Sequence, residues 1–471
     1  MKNRNRKTGN KEARKRKGSG KKRLAAGGRL SEELCKYGYV FDMRKSFVRY
    51  GVAAAASFLL GWYFSLGGWY LLALCVWVCL LLPFFLRNLY KNRYEQQRFS
   101  DVNIYMEQFL YSFQKSGKIL TTLEDVTQLF EEGRMRDTLL LAREHILHTY
   151  EEEQVELQAL EIIEEAYPAS QIRMMHRFAL QVEKNGGEYG QPVLLVLETR
   201  RMWADRIYEL LNERKRQRMG VFLSIATSLL LCSLISMLAG SLNIPVEQVA
   251  LTKVVTLAVL MIDFYIFYRA DRKLSAEFLR EEDGDEKDVL RQYRILMEKP
   301  GRGPVAAMQR RIAAKNVTRA IEKHFPQWLV QVSLLLQSEN VQVAMFKSYE
   351  DAPAVLKPAL RDFLEELREK PASMEPYLHF LGAFTLPEVR SSMKMLYSLS
   401  EGTGGDASFQ IADIIRRNQL MMDKAQKMKN EDSLAGMYAL FLAPQLTGGG
   451  KIIVDMLVLM VLYLGQYAPG I

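Results

Sequence analysis

Residues 219–268 read MGVFLSIATSLLLCSLISMLAGSLNIPVEQVALTKVVTLAVLMIDFYIFY and decide the fold class. They contain two apolar blocks, Met219 to Leu242 and Val249 to Tyr268, joined by a turn around Asn243-Ile244-Pro245. An α-helix rises about 1.5 Å per residue, so roughly 17 to 25 apolar residues cross the hydrocarbon core of a bilayer. Because backbone polar groups in hydrocarbon must be bonded within their own segment, each block is predicted to be a transmembrane helix rather than a buried soluble one.

Three further apolar blocks repeat this pattern elsewhere in the chain, namely Tyr50–Leu66, Trp69–Leu86 and Leu434–Leu464. The first two are separated only by Gly67-Gly68 and are predicted to form a second membrane hairpin. The third is interrupted by Pro444 and by Gly448-Gly449-Gly450. We expect it to be a single broken span; a re-entrant hairpin is the alternative, and the side of the C-terminus depends on that choice. The predicted class is therefore all-α, an integral membrane protein with about five transmembrane helices.

The charges of the chain predict its orientation. Of the 471 residues 49% are hydrophobic and 25% are charged, and the two classes are segregated along the sequence. The short turns at Gly67-Gly68 and at 243–248 carry no Lys or Arg, and one lysine, Lys253, lies near the outer end of its block. The positive-inside rule therefore places the N-terminus and the long polar segments in the cytoplasm. Basic clusters next to the apolar blocks support this, at Arg87, Lys91 and Arg93; Arg214, Lys215, Arg216 and Arg218; Arg269, Arg272 and Lys273; Lys424, Lys427 and Lys429.

The first 46 residues form a strongly basic segment that we expect to be a disordered cytoplasmic tail. Lysine-rich runs of this kind often contact anionic lipid headgroups. No aromatic or groove-reading motif accompanies the run, so we expect no nucleic-acid partner. The first apolar block begins too far into the chain for a cleaved signal peptide. Three of the four cysteines lie in predicted spans, so no disulfide framework is expected.

The polar segments contain one pattern twice. Tyr105, Phe109 and Phe113 recur on one face of a predicted helix, and Trp328, Val332 and Leu336 repeat that spacing 223 residues later. Each stripe is followed by a predicted break, at Gly117 in the first copy and at Asn340 in the second, where a left-handed backbone would be tolerated. Later breaks are expected at Gly186, Gly187, Gly404 and Gly405, each before a long helix that continues into a span.

This pattern predicts seven segments. A linker with a hinge is expected between the two copies because it contains the acidic run 281–286 and the sequence Pro300-Gly301-Arg302-Gly303-Pro304. The predicted segments are a basic tail (1–46), a transmembrane hairpin (47–87), a first cytoplasmic helical domain (88–218), a second transmembrane hairpin (219–268), a charged linker (269–324), a second cytoplasmic helical domain (325–432) and a C-terminal transmembrane segment (433–466).

The duplicated, membrane-anchored bundle resembles the type II secretion F domain. The segments that carry the resemblance are Tyr105–Val126, Ile172–Arg218, Phe325–Tyr349 and Met393–Lys429. The short spacing and the paired spans are most similar to the tight-adherence (Tad) branch, in which the two domains are usually separate proteins. The second copy departs from the family pattern, since Asn340 stands where Gly is usual and Pro371-Ala372-Ser373 interrupts its middle.

The resemblance implies a role in the bacterial inner membrane. Platform proteins of this family sit beneath a growing filament and pass movement from a cytoplasmic hexameric ATPase to pilin subunits. The expected partners are therefore that ATPase, pilins, membrane lipid, and further copies of this chain or a related platform protein. A membrane subunit of an ATP-driven transporter is the alternative function.

No catalytic or cofactor motif is found in the sequence. Thr447 to Lys451 lacks the spacing of a phosphate-binding loop and follows no strand. The five histidines form no metal-binding set with the cysteines, and the acidic residues of 151–165 are typical of a solvated helix face. We therefore expect no enzyme activity, no cofactor and no metal.

Three charged residues inside predicted spans are the candidate functional residues, namely Asp263, Lys451 and Asp455. An ionised group in hydrocarbon costs several kcal/mol, so such residues face protein or water. Lys451 and Asp455 are four residues apart and can pair along one helix, while Arg269 and water could relieve Asp263. Contact with a charge on a pilin or on a neighbouring protomer is the alternative.

The topology can be tested by cysteine labelling of intact cells. Gly67→Cys and Pro245→Cys are expected to react with a membrane-impermeant maleimide because both turns are predicted to lie outside. Tyr150→Cys, in a predicted cytoplasmic segment, should react only after the cells are opened. Labelling of Tyr150→Cys but not of the two turns in intact cells would reverse the whole topology.

Overall fold

The computed structural model describes residues 43–148, 154–186, 189–279, 283–297, 304–336, 339–402 and 407–467. Within these ranges the regular structure is helical and includes no β-strand, in agreement with the expected class. The helices, in chain order, are α1 (Met43–Tyr63), α2 (Gly68–Ser116), α3 (Ile119–Leu129), α4 (Arg134–His148), α5 (Val155–Ala166), α6 (Ser170–Asn185), α7 (Gly190–Ser241), α8 (Ala250–Leu274), α9 (Asp283–Met297), α10 (Pro304–Leu335), α11 (Val341–Ser348), α12 (Lys357–Glu369), α13 (Glu375–His379), α14 (Pro387–Ser400), α15 (Ala407–Leu434) and α16 (Met437–Tyr467).

The chain divides into two compact units. We call the first the apolar unit; among the described residues it comprises residues 43–97, Arg214–Glu277 and residues 436–467. The second, which we call the bundle unit, comprises Arg98–Glu213 and Phe278–Ala435. Both expected cytoplasmic domains thus contribute to one compact unit.

Four helical runs among the described residues are long and apolar enough to cross a membrane. They lie in α2, α7, α8 and the run Asp413–Gly465, whose apolar part is α16. Helix α1 is not among them, and Arg44, Lys45 and Arg49 in its first turns lower its mean hydropathy. Four apolar helices are compatible with a multi-pass membrane protein, and a fifth span at α1 stays a prediction.

Helix α16 is one helix from Met437 to Tyr467 that contains Pro444 and the three glycines, so the preferred single segment agrees with the structure and the re-entrant hairpin is wrong. The interruption expected inside this block is not found there. The interruption lies earlier, at Gly436, where φ is +77° and α15 ends. The expectation that α15 continues into the last span was therefore wrong, because a left-handed residue cannot be part of an α-helix.

Helix α7, by contrast, is one unbroken helix of 52 residues from Gly190 to Ser241. Pro192 is tolerated because it lies in the first turn, where its missing N–H would have no helical partner. The expectation of a continuous helix into the third apolar block is therefore confirmed.

The two aromatic and aliphatic stripes are buried in the bundle unit, as the repeat predicts. Tyr105, Phe109 and Phe113 belong to one buried cluster, and the corresponding residues of the second copy belong to another. Val330 and Leu334 of α10 join the first copy's cluster, so the copies pack directly against each other.

Residues at equivalent positions of the two copies meet in this packing. One small cavity is lined by Leu195 and Thr199 of α7 and by Asn418 and Met422 of α15. Each α15 residue lies 223 positions after its α7 counterpart, which is the offset found from the sequence stripes. These equivalent positions of the two copies therefore lie close to each other.

The predicted breaks have different outcomes. Gly117 and Gly186 end α2 and α6 with φ of +61° and +67°, as expected for left-handed glycines. Asn340 is not left-handed; its φ is −71°, and its side chain caps α11 by accepting a hydrogen bond from the Val343 N–H at 2.9 Å. Asn is a strong N-cap residue, so its side chain determines its role here. Gly187, Gly404 and Gly405 lie outside the described residues.

The last part of the expected linker belongs to the second bundle. Helix α10 begins at Pro304 and runs on to Leu335, and Val317 and Ile321 on its inner face are fully buried. Proline at the first position of a helix is favourable because its φ is already helical.

Candidate functional site

One face of α7 carries three hydrogen-bonding side chains that pair with the backbone of α16. Ser224, Ser228 and Cys232 are spaced four residues apart and therefore lie on one stripe of the helix. Their acceptors, in the same order, are the carbonyl oxygens of Phe441, Pro444 and Gly448, at 2.7, 2.7 and 3.7 Å.

Two of these bonds lie beside the proline of α16. Pro444 has no N–H, so the Leu440 carbonyl four residues earlier loses its helical donor, which is costly where water is absent. The Ser224 hydroxyl donates to the neighbouring Phe441 carbonyl, and the Ser228 hydroxyl donates to the carbonyl of Pro444 itself. The two helices are therefore joined by polar contacts at the level of the proline.

Gly448 allows the two helices to approach at this level. A Cβ atom built on Gly448 would lie 1.9 Å from the Ser228 Oγ, far inside van der Waals contact. The neighbouring Gly449 faces open space, so the two glycines have different roles. Small residues that bring helix backbones together are typical of membrane helix packing.

Lys451 and Asp455 form the buried ion pair that their spacing predicts. Their side chains are joined by a salt bridge one turn apart on α16, and both are about 2% exposed. The Lys451 ammonium also lies 6.0 Å from the centre of the Phe64 ring, at cation–π distance. The charge of Lys451 is therefore neutralised within the chain.

Asp263 of α8 has a different partner from the one expected. Its Oδ1 accepts a hydrogen bond from the Thr447 hydroxyl of α16 at 3.0 Å, in place of an interaction with Arg269. Its Oδ2 has no hydrogen-bond partner among the described residues, although the side chain is only 2% exposed. A buried carboxylate oxygen without a donor is costly.

The three charged residues meet on one stretch of α16, since Thr447, the partner of Asp263, lies one turn before Lys451. Two carboxylates and one ammonium leave one excess negative charge if all are ionised. Because the three side chains are almost fully buried within the chain, a pilin or a second protomer cannot touch them in this conformation. Local pairing thus accounts for the charges of Lys451 and Asp455, whereas the Asp263 carboxyl is bonded to a hydroxyl group. Among the described residues, no cluster of His, Cys, Asp and Glu is placed to hold a metal ion.

A second buried polar cluster lies in the bundle unit and was missed by the sequence reasoning. The Tyr105 hydroxyl lies 2.7 Å from the His176 Nε2, and the His176 Nδ1 lies 2.9 Å from the Glu164 Oε1. These contacts link α2, α5 and α6 and satisfy both nitrogens of a fully buried imidazole. The one available signal was the position of His176 beside Met175, within an apolar helical stripe.

Burial controls the protonation of this cluster. Desolvation lowers the pKa of His176 below its usual value, with the hydrogen bond and charge of Glu164 opposing the shift. The pKa of Glu164 is also lowered, since the hydrogen bond to His176 and nearby arginines outweigh its own desolvation. A neutral His176 donates from Nδ1 to Glu164 and accepts at Nε2 from Tyr105.

Comparisons with protein families, with curated proteins and with solved structures give no match to this chain. The resemblance to the type II secretion F domain therefore depends on the sequence pattern alone.

The contact between Gly448 and Ser228 can be tested by a compensating pair of substitutions. Gly448→Ala is expected to lower the free energy of unfolding by about 1–3 kcal/mol, since its methyl group would overlap Ser228. Ser228→Gly in the same chain should restore much of it, because the nearest Ser228 atom then lies 3.6 Å away. Gly449→Ala is the matched control. Thermal unfolding in detergent measures all three, and equal stability of Gly448→Ala and Gly449→Ala would contradict the packing.

The buried histidine predicts a loss of stability in mild acid. Below about pH 6.5 the unfolded chain binds a proton at His176 that the folded chain resists, so the free energy of unfolding falls with the pH. His176→Gln should reduce that pH dependence between about pH 7 and about pH 5.5. His148→Gln, at an exposed position on α4, is the matched control. The same slope in wild type and His176→Gln would show that another group titrates.

Proposed function

We propose that this protein is an inner-membrane platform protein of a type IV filament of the Tad kind, or of a type II secretion machine. In this role it couples a cytoplasmic secretion ATPase to the extraction and assembly of pilin subunits. One observation supports the proposal most strongly: the two copies of the helical bundle bury equivalent stripes and pair within one unit. A platform of this kind needs a cytoplasmic bundle and membrane-spanning helices in one protein, and this chain contains a duplicated bundle and four helices apolar enough to cross a membrane.

The proposed topology has five spans, with the basic N-terminus and both bundle copies in the cytoplasm. This is the side on which a cytoplasmic ATPase could bind. The protein itself is proposed to catalyse no reaction and to act with pilins, with the ATPase and with further copies of itself or a related platform protein.

Polar contacts between the two copies support the idea that they move as one body. Arg206 of α7 forms a salt bridge with Asp423 of α15, and the Asn430 side-chain amide donates to the Arg206 carbonyl at 3.0 Å. Arg177 of α6 pairs with Asp351, between α11 and α12. A rigid pair of bundles would pass on a displacement instead of absorbing it.

The same reasoning gives α7 the role of transmitting movement. A continuous helix resists bending because each turn is held by backbone hydrogen bonds, whereas glycine or proline allows a kink. α7 continues without interruption through Arg216, while the α15–α16 connection is interrupted at Gly436. We therefore propose that α7, rather than α15, carries the movement.

A helix-breaking insertion tests this proposal in one strain. Gly-Gly inserted after Arg216 is expected to leave membrane insertion and ATPase binding largely intact but to abolish surface filaments. The same insertion after Gly436 is the matched control and should reduce the filament count far less, since the helix already ends there. Pull-down of the secretion ATPase and filament counts by electron microscopy give the two readouts.

Normal filaments with the insertion after Arg216 would mean that α7 is only a tether. Failure of the wild-type chain to bind the ATPase would contradict the platform function itself.

A further inference from the structure

The N-terminal half of α10 has apolar side chains on two opposite faces. The inner face packs into the bundle unit through Ala313, Val317 and Ile321, each at most 3% exposed. Those residues account for the attachment of α10 to its own bundle, but not for the apolar residues on the opposite face.

The opposite face presents a row of large apolar side chains to its surroundings. Val305, Met308 and Ile312 lie at positions i, i+3 and i+7 and are therefore on one side of the helix. They are 68%, 66% and 49% exposed. A contiguous exposed apolar row on a folded domain indicates a surface that something covers.

Positive charge accompanies this row. Arg311 and Lys315 are exposed on the same side of α10. Residues 287–318 contain eight Lys or Arg but only two Asp or Glu. An apolar row flanked by cations on one helical face is the pattern of a helix that lies in the headgroup region of a bilayer.

The internal repeat also indicates that this face of α10 lies at a membrane. At the offset of 223 residues, Val305, Met308 and Ile312 correspond to residues 82, 85 and 89 of α2. Those residues belong to the apolar end of α2, in one of the four helices suited to crossing a membrane. Both segments have large apolar residues at these positions, and α10 has Arg310 and Arg311 where α2 has Arg87 and Asn88.

We propose that the face of α10 formed by Val305, Met308, Arg311, Ile312 and Lys315 binds the surface of an anionic bilayer. The apolar side chains enter the headgroup region, and the two cations contact lipid phosphates. This proposal requires a membrane protein but does not depend on a role in filament assembly.

Quenching by spin-labelled lipid tests the contact in the full chain. The four native cysteines are replaced, Met308→Cys carries an environment-sensitive fluorophore, and the protein is placed in nanodiscs. In discs rich in phosphatidylglycerol, headgroup-labelled lipid should quench the fluorophore at position 308. Leu129→Cys is the matched control, since Leu129 is 61% exposed in the same unit but lies beside Glu131 and Glu132. It should not be quenched.

The charge requirement is tested separately. Each cation near an anionic surface contributes about a fivefold change in the ratio of bound to free states, so Arg311→Gln with Lys315→Gln should lower quenching at position 308. Quenching of the unchanged face should also be lower in discs made of phosphatidylcholine, which has no net charge. Equal quenching at positions 308 and 129 in anionic discs would overturn the proposal. The proposal would also be overturned if the fluorophore at position 308 were not quenched by lipid and became shielded only after an acidic protein was added. That result would favour a protein-docking surface.

Discussion

The apolar unit depends on one constraint, namely that polar groups in apolar surroundings must be satisfied from within the protein. Pro444 places this constraint on α16, because it removes a backbone donor from the middle of an apolar helix. The constraint also applies to the hydroxyls of Ser224 and Ser228, which donate to the Phe441 and Pro444 carbonyls, and Gly448 gives Ser228 the room to approach α16. The contact between α7 and α16 thus depends on small residues on both helices. Thr447, next to this contact, bonds Asp263 and brings α8 to the same level.

Periodic features were the part of the fold that the sequence could predict. The apolar blocks, the stripes beginning at Tyr105 and Trp328, and the left-handed Gly117 each depend on neighbours within a few turns, so local sequence is enough. Asn340 and Pro444 could not be interpreted in this way. Asparagine is common both in left-handed breaks and at helix N-caps, and Asn340 is an N-cap in the folded structure. The polar contacts of α16 around Pro444 are made with serines more than 200 residues earlier, whose position no local pattern contains.

The contacts of the candidate site also differ in how far they could be predicted from local sequence. The Lys451–Asp455 pair was predictable because the residues are four apart on one helix. The contact between Thr447 and Asp263 joins residues 184 positions apart, and that between Tyr105 and His176 joins residues 71 positions apart. Such contacts are made by tertiary packing, which a single sequence does not reveal. His176 is an example, because the sequence shows it only as a polar residue within an apolar stripe and does not indicate its partners.

Two related helical bundles pair within one chain that also contains helices suited to a membrane, and our central claim is the proposal that this protein supports a filament. Deletion of the gene with a count of surface filaments tests that claim most directly. The account predicts that filaments disappear while pilin remains in the membrane fraction and the ATPase is still made, and that a plasmid copy restores them. A normal number of filaments in the deletion strain would contradict it.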